Sequence, residues 1–172
     1  AAIDQALDYA QIIGAGAVHV MAGFASGESA HKTFVANLRY AATQAAEKGI
    51  TILIEPLNHY DAKGYFLSTT AQSVAIKEEV KAPNLRLMFD CYHVQLIEGD
   101  ISNRLKQLLP VIGHIQFARV PDRGPPEGGE LNYGHFFDVI AQLGWDAPLG
   151  AEYKSTLPTD ETLGWMKGYQ RR

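Results

Sequence analysis

The sequence predicts an α/β fold with a parallel sheet, and three observations support this class. Apolar runs rich in strand-forming residues recur along the chain, at 17–22, 50–57, 85–93, 111–120 and 147–154. Amphipathic helical patterns separate these runs, and regular strand–helix alternation is typical of parallel sheets. The runs are almost continuously apolar, as expected for strands covered on both faces. We therefore treat residues 1–172 as one domain.

The helical segments between the predicted strands have recognisable ends. The segment 29–48 ends at Gly49, and a possible capping box of Thr69 with Gln72 begins the next helix. Three later segments follow the same pattern: a helix capped by Asp100 and ended by Pro110, a helix over 133–143 ended by Gly144, and a last helix from Thr159 to Tyr169. These ends support the alternation of strands and helices.

The first segment, 1–13, is also helical in pattern, but no strand precedes it. A helix of this kind needs a sheet to cover. The chain has 172 residues, whereas a complete (β/α)₈ barrel has roughly 250. We therefore expect the chain to be the C-terminal part of a larger barrel, carrying about the last five βα units.

Charge and composition disfavour several classes of function. The net charge is −4 and the isoelectric point is near 5.8, which gives no bulk attraction to nucleic acids or anionic membranes. No apolar run approaches the roughly 20 residues that span a bilayer. The single cysteine, Cys91, excludes an intrachain disulfide and suits a reducing cytoplasm. We expect a cytoplasmic protein with a small-molecule substrate and with neither a nucleic-acid nor a membrane partner.

Each of the last four predicted strands ends in, or presents, one polar side chain that could ligate a metal. These residues are Glu55, Asp90, Gln116 and Glu152, separated by 35, 26 and 36 positions. Each separation is close to the length of one βα unit, about 30 residues or more. Because parallel strands end at the same rim of a barrel, we expect the four side chains to meet there, where barrel active sites lie.

Carboxylates gathered at one rim predict a bound cation. Three acids in close contact repel one another unless a cation neutralises them. Two Glu, one Asp and one Gln amide form an all-oxygen ligand set, which favours Mg²⁺ or Mn²⁺. The alternative is four unrelated helix caps, and their matching positions on successive strands disfavour it.

Several motifs in order resemble one known family. They are EPLN at 55–58, GYFL at 64–67, FDCYHVQ at 89–95, GHIQFARVPDRG at 113–124, GELNY at 129–133 and GAEYK at 150–154. The chain resembles the bacterial hydroxypyruvate isomerases, members of the xylose-isomerase-like TIM-barrel superfamily, which also includes the ketose 3-epimerases. The resemblance covers the whole chain but only the later part of the family's barrel. It departs from the family at Ser155, where proline often stands.

The resemblance implies a fold and a reaction. The fold would be a TIM barrel in which Glu55, Asp90, Gln116 and Glu152, on barrel strands five to eight, hold one divalent metal. Glu55 and Glu152 would also be the catalytic acid/base pair. The reaction would interconvert hydroxypyruvate and 2-hydroxy-3-oxopropanoate (tartronate semialdehyde) through an enediolate. The sequence does not indicate which glutamate removes the proton first.

Three residues are candidates for binding the substrate. Arg123, just after the strand of Gln116, suits a carboxylate because a guanidinium forms paired hydrogen bonds to it. Its alternative is a solvated loop arginine. Lys154, two residues beyond Glu152, is a second candidate for the same role. His93, three residues after Asp90, is either a donor to a substrate oxygen or a packing residue.

Other features carry less specific interpretations. The sequence favours a core role for His19, although it could line the pocket, and leaves His114 as a possible supporting residue. Cys91 has no histidine partner in its context and is interpreted as a small buried residue. The loop 121–129, rich in proline and glycine, is a candidate lid that excludes water.

Competing functions remain open at this stage. A 2-oxo-tetronate isomerase or a ketose 3-epimerase would use the same metal site, and Arg123 favours an acidic substrate over a neutral sugar. A DNA-repair nuclease of the same superfamily would need more histidine ligands and a basic surface. A non-catalytic sugar-binding fragment of the barrel would have little reason to keep the full ligand set. Unpaired strand edges would also favour association, so a homo-oligomer is possible.

Overall fold

The computed structural model describes residues 2–169 and contains one parallel sheet of five strands. The strands are β1 (Ala17–His19), β2 (Thr51–Ile54), β3 (Leu85–Asp90), β4 (Ile112–Phe117) and β5 (Leu149–Ala151). They lie in sequence order, and every neighbouring pair is parallel. The sheet curls into a half-barrel, which confirms the predicted partial TIM barrel.

Within the described residues, six α-helices and two 3₁₀ segments precede, connect or follow the strands. The helices are α1 (Ala2–Ile13), α2 (Gly27–Ala46), α3 (Thr70–Val80), α4 (Cys91–Ile97), α5 (Ile101–Leu108) and α6 (Tyr133–Gln142). The 3₁₀ segments span Leu109–Val111 and Thr159–Gly168. The predicted last helix is therefore 3₁₀ rather than α. Ala1 and residues 170–172, which the predicted domain includes, lie outside the described residues.

The predicted strands extend beyond the observed ones, most clearly at 85–93. The structure ends β3 at Asp90 and begins α4 at Cys91. The Asp90 side chain accepts a hydrogen bond from the Tyr92 backbone N–H at 2.9 Å, which satisfies a free donor of the first helical turn. The residues after Asp90 are buried like those before it, so apolar character alone could not locate this boundary.

Two hydrophobic clusters pack the helices against the sheet. The first joins α1, α2 and α3 to β1 and β2 through residues such as Leu7, Leu38 and Ile76, all fully buried. The second joins α5 and α6 to β3 and β4 around Phe89 and Phe136. The helices thus cover one face of the sheet. The opposite, concave side is left for the polar residues at the strand ends.

The half-barrel has two open edges within the described chain. β1 pairs only with β2, and β5 pairs only with β4. Among the described residues there is no helix with the length and apolar character needed to cross a membrane.

Candidate active site

The polar residues predicted from strand spacing lie at one end of the sheet. Glu55 follows β2 directly, Asp90 ends β3, and Glu152 follows β5. Asp90 and Gln116 are register partners across β3 and β4, and the backbone N–H of Glu152 donates to the Phe117 carbonyl at 3.0 Å. The parallel register therefore brings the four predicted ligands to the same rim.

Asp90 has two roles at this rim. Its Oδ1 accepts the hydrogen bond that caps α4. Its Oδ2 is buried and finds no hydrogen-bond partner in the described protein. This second oxygen lies 3.8 Å from His93 Nε2. The helix cap thus holds the carboxyl group in an orientation that leaves one oxygen facing the site.

Several buried polar atoms at or near the strand ends have no hydrogen-bond partner. Within the described part of the chain they are His19 Nε2, Glu55 Oε1, Asp90 Oδ2, His93 Nε2 and Gln116 Oε1, and Trp145 Nε1 is a further such atom elsewhere. Ligating atoms of Glu55, Asp90 and His93 lie within 4.8 Å of one another, and His19 Nε2 lies 3.7 Å from Glu55 Oε2. A buried polar atom without a partner costs about 1–3 kcal/mol. A cation and a polar ligand would remove this cost.

The ionisation of the buried acids also fits a cation. Burial, followed by repulsion from Asp90 and Glu152, raises the pKa of Glu55 to about 9. Burial is also the main cause that raises the pKa of Asp90 to about 7. Two carboxyl groups that resist ionisation in one place are suited to a divalent ion, which would stabilise their charged forms. The oxygen donors match those that Mg²⁺ and Mn²⁺ prefer.

The strand beside Gln116 leaves space for this donor set. A Cβ atom at Gly150 would lie 2.9 Å from His114 Nε2 and 3.2 Å from Gln116 Cγ. Gly150 is the register partner of Gln116 on β5. A larger residue there would displace the Gln116 side chain, so glycine keeps its amide free to face the rim.

Arg123 is the cation that faces these acids. Its Nη2 lies 2.5 Å from Glu152 Oε2 and 3.7 Å from Asp90 Oδ2, and its Nη1 lies 3.6 Å from Asp61 Oδ2. The guanidinium also stacks over the ring of Tyr92, 5.2 Å from its centroid. Arg123 is therefore a partly buried residue of the site, and the solvated-loop alternative is wrong.

A tight turn directs Arg123 toward the rim. Its backbone N–H donates to the Arg119 carbonyl at 2.8 Å, and its carbonyl accepts from the Lys154 N–H at 2.7 Å. Asp122 pairs with the Arg119 side chain and also accepts from the Gly124 N–H at 3.2 Å. Arg123 itself has φ 58°, the left-handed region. The start of the loop 121–129 is thus tied to the β4 end and to the segment after β5.

Comparison with known proteins places this geometry in a family. The protein-family model described as xylose isomerase-like TIM barrel matches residues 1–169 of this chain. The chain belongs to this family.

The relatives of this family member include two named isomerases. The chain is 45% identical to the 2-oxo-tetronate isomerase of Cupriavidus necator, covering 99% of this chain and 67% of that protein. It is 39% identical to the hydroxypyruvate isomerase of Escherichia coli, covering 96% of this chain and 66% of that protein. The chain thus spans about two thirds of the length of these relatives. The resemblance stated from the motifs is confirmed.

A solved structure agrees with the fold. A Brucella melitensis protein, titled AP endonuclease, family 2, superposes with a TM-score of 0.92 and 36% identity, over 98% of this chain and 67% of that one. A 3-keto-D-glucoside 4-epimerase from Escherichia coli superposes with a TM-score of 0.81 at 20% identity, which shows the shared fold alone.

The other two candidate substrate-binding residues, His93 and Lys154, differ in how deeply they are buried. His93 is buried inside the group of unpartnered atoms, and burial, reinforced by the charge of Arg123, lowers its pKa to about 4. The Lys154 side chain is 69% exposed, and its Nζ lies 3.9 Å from Asp61 Oδ1. The structure therefore places Lys154 at the outer side of the site, beyond Asp61.

Sequence reasoning missed three residues around the predicted site. A fourth residue, His19, was considered as a pocket residue but a core role was favoured, and its Nε2 lies 3.7 Å from Glu55 Oε2. Asp61 links Arg123 and Lys154, Tyr92 lies beneath Arg123, and Asn58 contacts His93. Asn58 and Tyr92 stand in the motifs EPLN and FDCYHVQ, three and two residues after predicted ligands, and this proximity was the available signal.

Proposed function

We propose that this chain forms the catalytic rim of a metal-dependent isomerase that acts on a short 2-oxo acid. The observation that carries the proposal is the group of buried, unpartnered polar atoms on Glu55, Asp90 and Gln116, with the partly buried Arg123 near Asp90. A site of this kind joins a cation to an anionic substrate. The isomerase relatives support the same class of reaction.

The proposed metal ligands are Glu55, Asp90, Gln116 and Glu152. Three of them, Glu55, Asp90 and Gln116, have a buried oxygen without a hydrogen-bond partner in the described residues. Glu152 is half exposed and bonded to Arg123, so it would turn from the guanidinium toward the other ligands. When bound, a divalent ion lowers the energy of negative charge that develops on adjacent substrate oxygens.

The protein's own residues then move the proton. An aldose–ketose isomerisation transfers a proton between neighbouring carbons, which requires one group to remove it and another to deliver one. We assign these roles to Glu55 and Glu152, which directly follow β2 and β5, two strands that are separated in the sheet by β3 and β4. Burial of Glu55 keeps water from the transferred proton.

Arg123 supports an acidic substrate. Its guanidinium offers a planar pair of donors, which matches a carboxylate. Its present partners are carboxylates, Glu152 at 2.5 Å and Asp61 at 3.6 Å. Once Glu152 joins the ligand set, the same donors are free for the carboxylate of the substrate. Hydroxypyruvate meets this requirement, with 2-hydroxy-3-oxopropanoate as the product.

A second candidate substrate is the four-carbon acid 2-oxo-tetronate. The higher identity to the Cupriavidus necator enzyme, 45% against 39%, favours it. Its extra carbon would leave the metal ligands, the acid/base pair and the arginine unchanged. Turnover of the two acids therefore tests the same mechanism, and the preferred acid shows whether the pocket suits the shorter or the longer substrate.

The test is an assay of the full-length protein with both acids in the presence of Mn²⁺ or Mg²⁺. Glu152→Gln and treatment with EDTA are expected to abolish turnover, and added metal should restore only the EDTA-treated wild type. Glu78→Gln, at an exposed position on α3, is the matched control and should keep full activity. If the purified protein binds no metal and turns over neither acid, the proposal fails and a non-catalytic binding role is favoured instead.

A further inference from the structure

The ring of His93 is held between Asn58 and the site. The side chain is 1% exposed, so its hydrogen-bonding partners are protein groups or a bound ligand. Nδ1 faces Asn58, whereas Nε2 faces the site, 3.8 Å from Asp90 Oδ2, and has no hydrogen-bond partner in the described protein. Which nitrogen carries the hydrogen decides what His93 can do there.

The orientation of the Asn58 amide is fixed by its own loop. Its Oδ1 accepts from the backbone N–H groups of Tyr60 and Asp61, each at 3.0 Å. Backbone N–H groups only donate, so the atom that faces them must be the amide oxygen. The Nδ2 group therefore faces the other way, 2.8 Å from His93 Nδ1. Asn58 is fully buried, which leaves no solvent to rearrange this network.

His93 Nδ1 meets two donors of the same residue. Besides the amide Nδ2, the backbone N–H of Asn58 points at Nδ1 at 3.0 Å. A nitrogen that faces two donors has to accept, so it carries no hydrogen. A neutral imidazole then has its hydrogen on Nε2. A charged ring would place a hydrogen on Nδ1 against both donors.

We propose that Asn58 is a positioning residue that fixes His93 as the Nε2–H tautomer, so that His93 donates a hydrogen bond into the site and does not ligate the metal. By distance alone His93 groups with Glu55 and Asp90 as a ligand. A nitrogen that carries hydrogen has no lone pair for a metal. The acceptor of this bond is an oxygen of the substrate, a step that rests on the proposed function.

The same residue also positions the acid on the other side of the site. The turn held by Asn58 Oδ1 includes Asp61, whose carboxylate contacts Arg123 and Lys154. Asn58 thus sets both the donor on His93 and the acid that orients Arg123. Loss of its side chain would remove one of the two donors to His93 Nδ1 and the Oδ1 contacts that hold the turn of Asp61, while the backbone donor and the four proposed metal ligands would stay in place.

The direct test is the nitrogen NMR spectrum of the full-length protein labelled with ¹⁵N-histidine. His93→Gln assigns the signals of His93 among the six histidines. We expect Nε2 to show the shift of a protonated nitrogen and Nδ1 that of an unprotonated one at neutral pH. A spectrum with hydrogen on Nδ1, alone or together with Nε2, would overturn the proposal. The measurement needs no substrate, so it stands even if the proposed reaction is wrong.

Two variants separate tautomer control from folding. Asn58→Asp replaces the amide donor with an acceptor, so hydrogen should move to Nδ1, and kcat should fall about 10- to 100-fold, as for the loss of a hydrogen bond to a charged group. Asn58→Ala keeps the backbone donor and should retain the Nε2–H tautomer. Asn37→Asp, exposed on α2, controls for the added charge. An unchanged tautomer in folded Asn58→Asp would refute control by Asn58, and if that variant fails to fold, the wild-type and Asn58→Ala spectra decide.

Discussion

Among single residues, we expect Arg123 to distinguish an acidic substrate from a neutral sugar. Arg123→Lys keeps the charge but loses the planar pair of donors and the stacking on Tyr92. We expect the KM for hydroxypyruvate to rise roughly 10- to 100-fold, as for loss of a hydrogen bond to a charged group of about 1.5–3 kcal/mol. Steady-state kinetics measures this effect, with Arg39→Lys on the exposed face of α2 as the control. An unchanged KM would assign carboxylate recognition to another residue.

The buried acids predict that metal binding depends on pH. With pKa values of about 9 for Glu55 and about 7 for Asp90, a divalent ion must displace protons, so its affinity should rise with pH. Between pH 6 and 8 we expect about a tenfold gain per pH unit for each proton released. Calorimetry in buffers of different ionisation enthalpy measures both quantities. A metal affinity that stays constant between pH 6 and 8 would contradict the raised pKa values that burial gives to Glu55 and Asp90.

Metal affinity is expected to rise with pH, whereas the raised pKa of Glu55 makes the stability of the metal-free protein fall as the pH rises. A raised pKa in the folded state means that protonated Glu55 favours folding. That contribution is fully present below the unfolded value of 4.5 and is lost as the pH rises toward 9. In EDTA, the free energy of unfolding should therefore fall from pH 5 to 8, and urea titrations of wild type and Glu55→Gln compare it. Glu55→Gln should show a smaller fall.

The sequence predicted which polar residues lie at the strand ends, but not the residues that surround them; the role of the four as metal ligands stays a prediction. Glu55, Asp90, Gln116 and Glu152 follow from strand spacing, because parallel strands end at one rim. Asn58 and Asp61 act through a turn whose hydrogen bonds depend on backbone angles, which no residue pattern in the chain specifies. The carboxylate role of Arg123 and the metal itself stay predictions that the structure supports by contact and burial.

Among the secondary-structure elements, α4 links folding to the site through Asp90. Asp90→Asn keeps an oxygen that can cap α4, whereas Asp90→Ala removes the cap. We expect both variants to lose metal affinity, but Asp90→Ala to be less stable than Asp90→Asn by about 0.5–2 kcal/mol, the usual value of a cap. Urea unfolding in EDTA isolates this difference from metal binding. Equal stability of the two variants would show that the cap does not support α4.

The limits of prediction for the elements have a physical cause. Alternation located all five strands, because each needs a continuous apolar run to pack against helices. Their ends were placed too far along the chain, since the residues after β3 are as buried in α4 as they would be in a strand. The last segment, 159–168, carries the acidic start of a helix but forms 3₁₀ turns, with its packing limited to Thr162 and Trp165.

At the scale of the whole molecule, we expect the edges that are open within residues 2–169 to favour association. β1 and β5 each lack a neighbour on one side, and unpaired edges recruit other strands. A polypeptide of residues 1–172 alone should therefore show a mass above its 18.9 kDa monomer that rises with concentration. Light scattering after gel filtration measures this mass.

A proline at one edge would test the cause of that association. The N–H of Val20 bonds to β2, so by alternation the N–H of Ala17 points away from it, toward the open edge. Ala17→Pro should therefore remove one edge donor without breaking the ladder to β2 and reduce the mass of the assemblies. Ser29→Pro, in the first turn of α2 and away from both edges, is the control and should leave the association unchanged. A concentration-independent monomer for the unmodified polypeptide would mean that its own helices or termini protect the edges, and the half-barrel would then be stable by itself.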